Sequence, residues 1–185
     1  MSGRVLAPMA TLLLLVGCAS SPPTNFYTLS DTAAQTTAPS GVGHIVITGV
    51  TIPGEIDRPE IVRKIGSNQL SVAETDRWAA PLDETIRRVL NDDIARRMPG
   101  APAEPQRPVS VDVREFYGDE SCNVTLRAVW TLKQTGAQPG SEHIHVPSSG
   151  SCPVTLAATM SIALGQLTDR IIAGVARIPP AAASR

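Results

Sequence analysis

The sequence predicts a single α/β domain in which a mixed, mostly antiparallel sheet of about five or six strands packs against two long helices. Three observations carry that expectation. Alternating apolar and polar residues recur between 45 and 146, apolar residues at helical spacing fill 82–94 and 154–178, and 185 residues suit one ordinary domain better than two. Apolar residues make up 42% of the chain and aromatic residues only 3%, so the core must be built from Val, Ile, Leu and Ala, with Phe116, Trp78 and Trp130 as isolated large pieces. Lys and Arg number 16 against 17 Asp and Glu, and no basic cluster interrupts that balance, so nucleic acid is not an expected partner.

The first element is a targeting segment. Arg4 precedes an apolar run of 11 residues from Leu6 to Val16, followed by Gly17 and Cys18. A helix needs about 20 residues to cross a hydrocarbon core of roughly 30 Å, so the run reads as the h-region of a signal peptide, with 1–17 absent from the mature protein. Small residues ahead of Cys18 expose the backbone to a peptidase, and a thiol at the cut can carry a diacylglycerol through a thioether. The pattern resembles a bacterial lipobox. Cys18 is therefore the expected lipid-attachment site, bearing a diacylglycerol and an N-acyl chain, and no other cofactor is expected. Several acyl chains hold more firmly than one, so the protein would be anchored to a membrane without spanning it. Ala19 and Ser20 follow where many bacterial lipoproteins carry an Asp that retains them at the inner membrane; its absence favours the outer membrane, on the periplasmic face.

Residues 18–43 read as a lipidated tether, Ser- and Pro-rich at its start and Thr/Ala/Ser-rich toward Gly43, with a short edge strand near 26–29. The domain proper is expected over 44–178. Ile45 to Ile52 is rich in β-branched residues and stops at Pro53-Gly54. Ile61 to Ile65 and Gln69 to Ala73 form a strand pair joined by Gly66-Ser67-Asn68. Pro81 then opens a helix with Leu82, Ile86, Val89, Leu90 and Ile94 on its core face, ended by Pro99-Gly100. Its other face carries Asp83/Arg87, Glu84/Arg88, Arg88/Asp92, Asp92/Arg96 and Asp93/Arg97 at i,i+4, which reads as a solvated, salt-bridged face. After a Pro-rich connection over 100–108, Val109, Val111 and Val113 alternate with polar residues in a strand ending near Tyr117. The last element runs from about Val154 to Ile178, with Leu156, Met160, Leu164, Leu167, Ile171 and Val175 in one apolar stripe, and Pro179-Pro180 begins a frayed tail over 179–185.

Between those strands and the last helix lie Cys122 and Cys152, two thiols in a compartment where disulfides persist. Val124 to Leu132 alternates, as do Ile144 and Val146 with His143 and His145, and 136–140 is punctuated by Gly and Pro. Folding that hairpin about residue 137 sets Trp130 against Ile144, Ala128 against Val146, and Cys122 against Cys152. A structural disulfide between Cys122 and Cys152 is expected.

Catalytic patterns are missing. The chain has no Gly-x-Ser-x-Gly elbow, no Gly-rich phosphate loop and no metal motif of standard spacing, so an enzyme is not expected. His143 and His145 project from one face of a strand beside Glu142, but without a third fixed ligand they read as solvated strand residues, and no metal site is assigned.

Several segments follow one family in order: Cys18 of the lipobox, Asn25-Phe26-Tyr27-Thr28-Leu29, Val50-Thr51-Ile52-Pro53, Asp57-Arg58-Pro59-Glu60-Ile61-Val62, Asp76-Arg77-Trp78-Ala79-Ala80-Pro81-Leu82, and Val111-Asp112-Val113-Arg114-Glu115-Phe116. The chain resembles the ABC-type transport auxiliary lipoproteins of the PqiC-like kind. That resemblance implies a role beside an MCE-domain protein and ABC or permease components in moving lipid between the inner and outer membranes, with a possible ring-like homo-oligomer. Phe26 and Tyr27, large and close to the anchor, are the candidate partner contacts. The alternative is a self-sufficient lipid carrier, which needs an apolar cavity between sheet and helices.

Overall fold

A computed structural model describes residues 22–32, 42–100, 105–150, 152 and 154–179. Cys18, the signal peptide, the linker residues 33–41 and the tail beyond 179 lie outside the described residues. In chain order the elements are β1 (Asn25–Tyr27), β2 (His44–Thr51), β3 (Glu60–Lys64), β4 (Leu70–Trp78), α1 (Leu82–Arg97), β5 (Gln106–Gly118), β6 (Val124–Leu132), β7 (Gly140–Val146) and α2 (Leu156–Ala176). The seven strands form one mixed sheet in the order β1-β4-β3-β5-β6-β7, with β2 also paired to β5. The β1–β4, β2–β5 and β3–β5 ladders are parallel, and β3–β4, β5–β6 and β6–β7 are antiparallel.

Strand β5 organises the sheet. Along one side it pairs with β6, and along the other it receives β2 over 106–112 and β3 at Gly118. It starts at Gln106, earlier than expected, and so takes in Pro108 from the connection over 100–108. A proline near the start of a strand forfeits little ladder bonding, and the Pro108 carbonyl still accepts the Lys133 N–H at 2.8 Å. Val109, Val111 and Val113 point into the core, as do Val124, Leu126 and Ala128 of β6, while the intervening residues line a half-exposed outer face.

Both helices pack against the sheet, α1 against β2 and α2 against β5, β6 and β7, and against each other. Pro81 precedes α1 with its carbonyl accepting the Thr85 N–H, and Leu82, Ile86, Val89, Leu90 and Ile94 are buried as their spacing predicts. Asp83 and Glu84 in the first turn and Arg96 and Arg97 in the last complement the helix dipole. On α2, Leu164, Leu167, Ile171 and Val175 are completely enclosed. No helix among the described residues is long and apolar enough to cross a membrane.

The charged face of α1 is not uniformly solvated. Arg88 pairs with Asp92 at 3.4 Å on the surface, as its spacing predicts, but Asp93 and Arg97 are buried. Arg97 binds Asp93 at 3.0 Å and Asp169 of α2 at 2.6 Å and donates to the Gly165 carbonyl at 3.0 Å; Asp93 also accepts the Thr32 N–H at 3.0 Å. Burial alone would lower the Arg97 pKa, but the two carboxylates outweigh it and the guanidinium is held more firmly protonated than usual. Helical spacing alone does not distinguish this pair from its solvent-exposed neighbours, because the groups that bury it come from α2 and from the N-terminal segment.

That segment corrects the expected tether. Residues 25–32 are part of the domain: Leu29 is buried, Ser30 N–H donates to Ser161 Oγ at 3.1 Å, and Asp31 pairs with Arg96. Residues 25–32 therefore belong to the domain and not to the tether expected over 18–43.

On the outer edge of β2, a bulge separates Ile47 from Gly49 in the ladder with β5. Asn91 of α1 closes that edge. Its side-chain carbonyl accepts the Ile47 N–H at 3.0 Å and its amide donates to the Ile47 carbonyl at 3.1 Å, replacing the two bonds a further strand would make.

The β6–β7 hairpin keeps the expected inward face but not the expected register. Trp130 stands opposite Gly140, Ala128 opposite Glu142, Leu126 opposite Ile144 and Val124 opposite Val146. The cause is the Trp130 ring, which lies where a Cβ on Gly140 would fall, only 2.1 Å from Cε2. A branched residue opposite the indole would crowd it; glycine does not. Cys122 and Cys152 are therefore not ladder partners. They are joined as a disulfide beyond the strand ends, with Cα atoms 5.6 Å apart. Cys122 adopts a left-handed φ of 60° in a turn fixed by Asp119, which accepts the Ser121 and Asn123 N–H groups, and Asn123 accepts the Ser148 N–H at 3.0 Å. Loop geometry, not strand register, brings the sulfurs together. Replacing both cysteines by Ala is expected to lower stability by about 3–4 kcal/mol in the chain-entropy model, measured as a shift of the urea midpoint against the oxidised protein. An unchanged midpoint would refute a stabilising staple.

Candidate functional site

Three of the segments singled out above meet at the β1 edge of the sheet. β1 runs parallel to the end of β4, with Asn25 opposite Asp76, Phe26 opposite Arg77 and Tyr27 opposite Trp78. The chain leaving β4 is held by the Ala79 N–H donating to the Tyr27 carbonyl at 2.8 Å, and the Trp78 N–H donates to the Pro59 carbonyl at 2.7 Å. Residues 25–27, 57–60 and 76–82 thereby become one surface, containing a cleft of about 320 Å³ lined by Asp57, Arg58, Pro59, Trp78, Ala80, Pro81 and Leu82.

Charge at this surface is paired off. Glu60 accepts from Arg58 at 3.0 Å and faces Arg77 at 3.3 Å, and the Arg58 hydrogen bond foremost lowers its carboxyl pKa. Asp76 accepts from Asn25 at 2.9 Å and from the Tyr27 hydroxyl at 3.5 Å; partial burial and then the Asp76 charge raise the Tyr27 pKa. The two candidate contacts separate. Tyr27 packs partly into the core, whereas Phe26 is 66% exposed beside Arg77. The convergence of 57–60 with 76–82 could not be read from spacing, because the β3–β4 ladder that joins them is bulged between Glu60 and Val62.

The remaining candidates do not assemble into a reaction centre. His143 stands opposite Arg127 and His145 opposite Thr125 on the outer face, while Glu142 turns the other way and accepts from Trp130 Nε1 at 3.3 Å. Among the described residues no three metal-ligating side chains cluster. The layer between sheet and helices holds the buried side chains of Phe116, Leu126, Leu164 and Ile171, and a groove of about 310 Å³ lined by Ile45, Ile94 and Met98 among others lies between β2 and α1. On the opposite side of β5, the Tyr117 hydroxyl donates to Glu55 at 2.9 Å.

Burial first, and then this hydrogen bond, push the Tyr117 pKa above its ordinary value of 10.0. The folded protein keeps the proton where the unfolded chain releases it, so this contribution is intact below about pH 10 and is lost as pH rises toward the folded value. Urea midpoints are expected to decline above about pH 10 in the native protein, and more gently in Tyr117→Phe. Equal declines would show that Tyr117 is not the group responsible.

Comparison with known proteins adds a family and a fold. The family described as ABC-type transport auxiliary lipoprotein component matches residues 27–172. The intermembrane transport lipoprotein PqiC of Escherichia coli (strain K12) is 28% identical over 133 residues, covering 67% of this chain and 71% of that protein, and PqiC of Shigella flexneri matches equally. A crystal structure of an uncharacterised protein superposes with a TM-score of 0.69 at 18% identity, covering 83% of this chain and 99% of that one. A Xanthomonas campestris protein superposes with a TM-score of 0.65 at 17% identity, covering 83% and 95%.

Proposed function

Because the chain belongs to the family of ABC-type transport auxiliary lipoprotein components, we propose that it is the outer-membrane-anchored subunit of an MCE-type intermembrane lipid transport system. In this reading Cys18 carries the acyl chains, and the domain docks the MCE protein at the periplasmic face of the outer membrane without doing chemistry of its own. The likeness to PqiC, named as an intermembrane transport lipoprotein, supports the transport role. What supports the docking role is that the first described strand begins at Asn25, seven residues after Cys18, so acyl chains on Cys18 would hold the domain close to the membrane. Confinement of that kind raises the effective concentration of a docking surface, so modest contacts to a partner suffice.

Cys18→Ser, exported on a signal peptide whose cleavage does not need a lipidated thiol, is the direct test. The variant is expected to keep the circular dichroism of the native domain, to move from the membrane fraction to the soluble periplasmic fraction, and to abolish lipid transport. Crosslinking of the native lipoprotein in intact envelopes is expected to capture an MCE-domain protein. A variant that remains on the membrane, or a native protein that captures no such partner, would count against the proposal.

A further inference from the structure

We propose that Phe26 rests in the headgroup region of the bilayer that carries the acyl anchor, so that the domain stands on the membrane by its β1 edge. The inference deepens the reading above and rests on lipidation of Cys18.

Distance is the first argument. Eight residue steps separate Cys18 from Phe26, a span of at most about 29 Å when fully extended and roughly 16 Å as a relaxed coil. A domain of this size is on the order of 40 Å across. The leash is shorter than the body it holds, so the part of the surface nearest β1 is the part that reaches the lipid. The opposite sheet edge, β7, lies five strand spacings away, about 24 Å across the sheet.

The chemistry of that surface is the second argument. Phe26 is the aromatic member of the exposed large apolar side chains, the others being Leu70, Val72, Val154 and Ile162. It sits on a rigid strand and not on a loop, with its backbone fixed by the ladder to β4. Around it Arg58 and Arg77 share Glu60, while on the other face of the strand Asp76 is hydrogen-bonded by the neutral Asn25. A single aromatic ring beside Arg58, Arg77 and Glu60 suits a headgroup layer of phosphates and amines, where the ring and the charged groups are both accommodated. It suits a strongly anionic surface poorly, because no unpaired cation cluster faces outward there. A ring alone would bind weakly, but beside an acyl anchor it need only orient a protein already on the membrane.

The test uses the full-length lipidated protein in vesicles of phosphatidylethanolamine with a minority of phosphatidylglycerol. The variant Phe26→p-benzoylphenylalanine is compared with Gln138→p-benzoylphenylalanine, the second position being exposed in the β6–β7 turn. After irradiation, the expected result is the mass gain of a phospholipid on the peptide containing residue 26 and none on the peptide containing residue 138. Lipidated protein that floats with the vesicles yet gives no lipid adduct at 26, or equal adducts at both positions, overturns the proposal while leaving the anchoring intact. Protein that bears no acyl chain and does not float overturns the anchoring and this inference together. In intact envelopes, an adduct at position 26 to a protein in place of lipid also overturns it, and assigns Phe26 to a protein interface.

Discussion

Truncating Trp130 to Ala is expected to destabilise the protein by about 3–5 kcal/mol, the cost of deleting a large buried aromatic that its surroundings cannot collapse to fill. The indole is held from two sides by residues without side chains. A Cβ on Gly140 of β7 would lie 2.1 Å from the ring, and one on Gly174 of α2 would lie 2.2 Å from it. Trp130 thus joins β6, β7 and the last turns of α2, and only 4% of it is exposed. The same geometry gives a second expectation of opposite cause. Gly174→Ala should overpack the site and cost about 1–3 kcal/mol, since the ring cannot retreat toward Gly140. Chemical denaturation measures both, and combining Gly174→Ala with Trp130→Leu should recover part of the Gly174→Ala loss. A neutral Gly174→Ala would show that the ring is not gripped as described.

Arg97→Met is expected to have a comparable effect, about 3–5 kcal/mol, because it leaves the Asp93 carboxylate buried without its counter-charge. In a domain of this size each kcal/mol moves the thermal midpoint by about 2–4 °C, so scanning calorimetry resolves the change. Asp169→Asn should cost far less, as Asp169 is 58% exposed and water can serve its partner. The double variant Arg97→Met with Asp93→Leu should recover most of the loss, since removing both charges removes the desolvation problem. If the double variant is as unstable as Arg97→Met alone, the ion pair is not the origin of the effect.

Periodicity made the helices legible. The apolar spacing from Leu82 to Ile94 and from Leu156 to Val175 identifies the buried stripes, and alternation identifies the inward faces of β5, β6 and β7. What periodicity cannot supply is the contribution of a distant neighbour. Asp93 and Arg97 looked like any other surface pair because Thr32, Gly165 and Asp169 lie far along the chain. The hairpin register failed on a single assumption, that apolar residues prefer apolar partners, when Trp130 requires the emptiest partner available. Cys122 and Cys152 meet even so, because the Asp119 turn and the Asn123–Ser148 bond set their positions independently of the ladder. At the β1 edge, residues 25–27, 57–60 and 76–82 carry a recognisable pattern, but only the β1–β4 ladder and the bulged β3–β4 ladder show why they meet. Residues 25–32 belong to the domain for a related reason, since Leu29 is buried while Ser30, Asp31 and Thr32 bond to partners far along the chain in α1 and α2.

The amide of Asn91 has an implication for pairing between chains. An open parallel strand such as β2 is a template on which a stray chain can pair. By answering both polar groups of Ile47 from within the molecule, Asn91 makes that seam unavailable to strangers. A single helix residue thereby blunts the middle of an edge that would otherwise stand open to a stray strand.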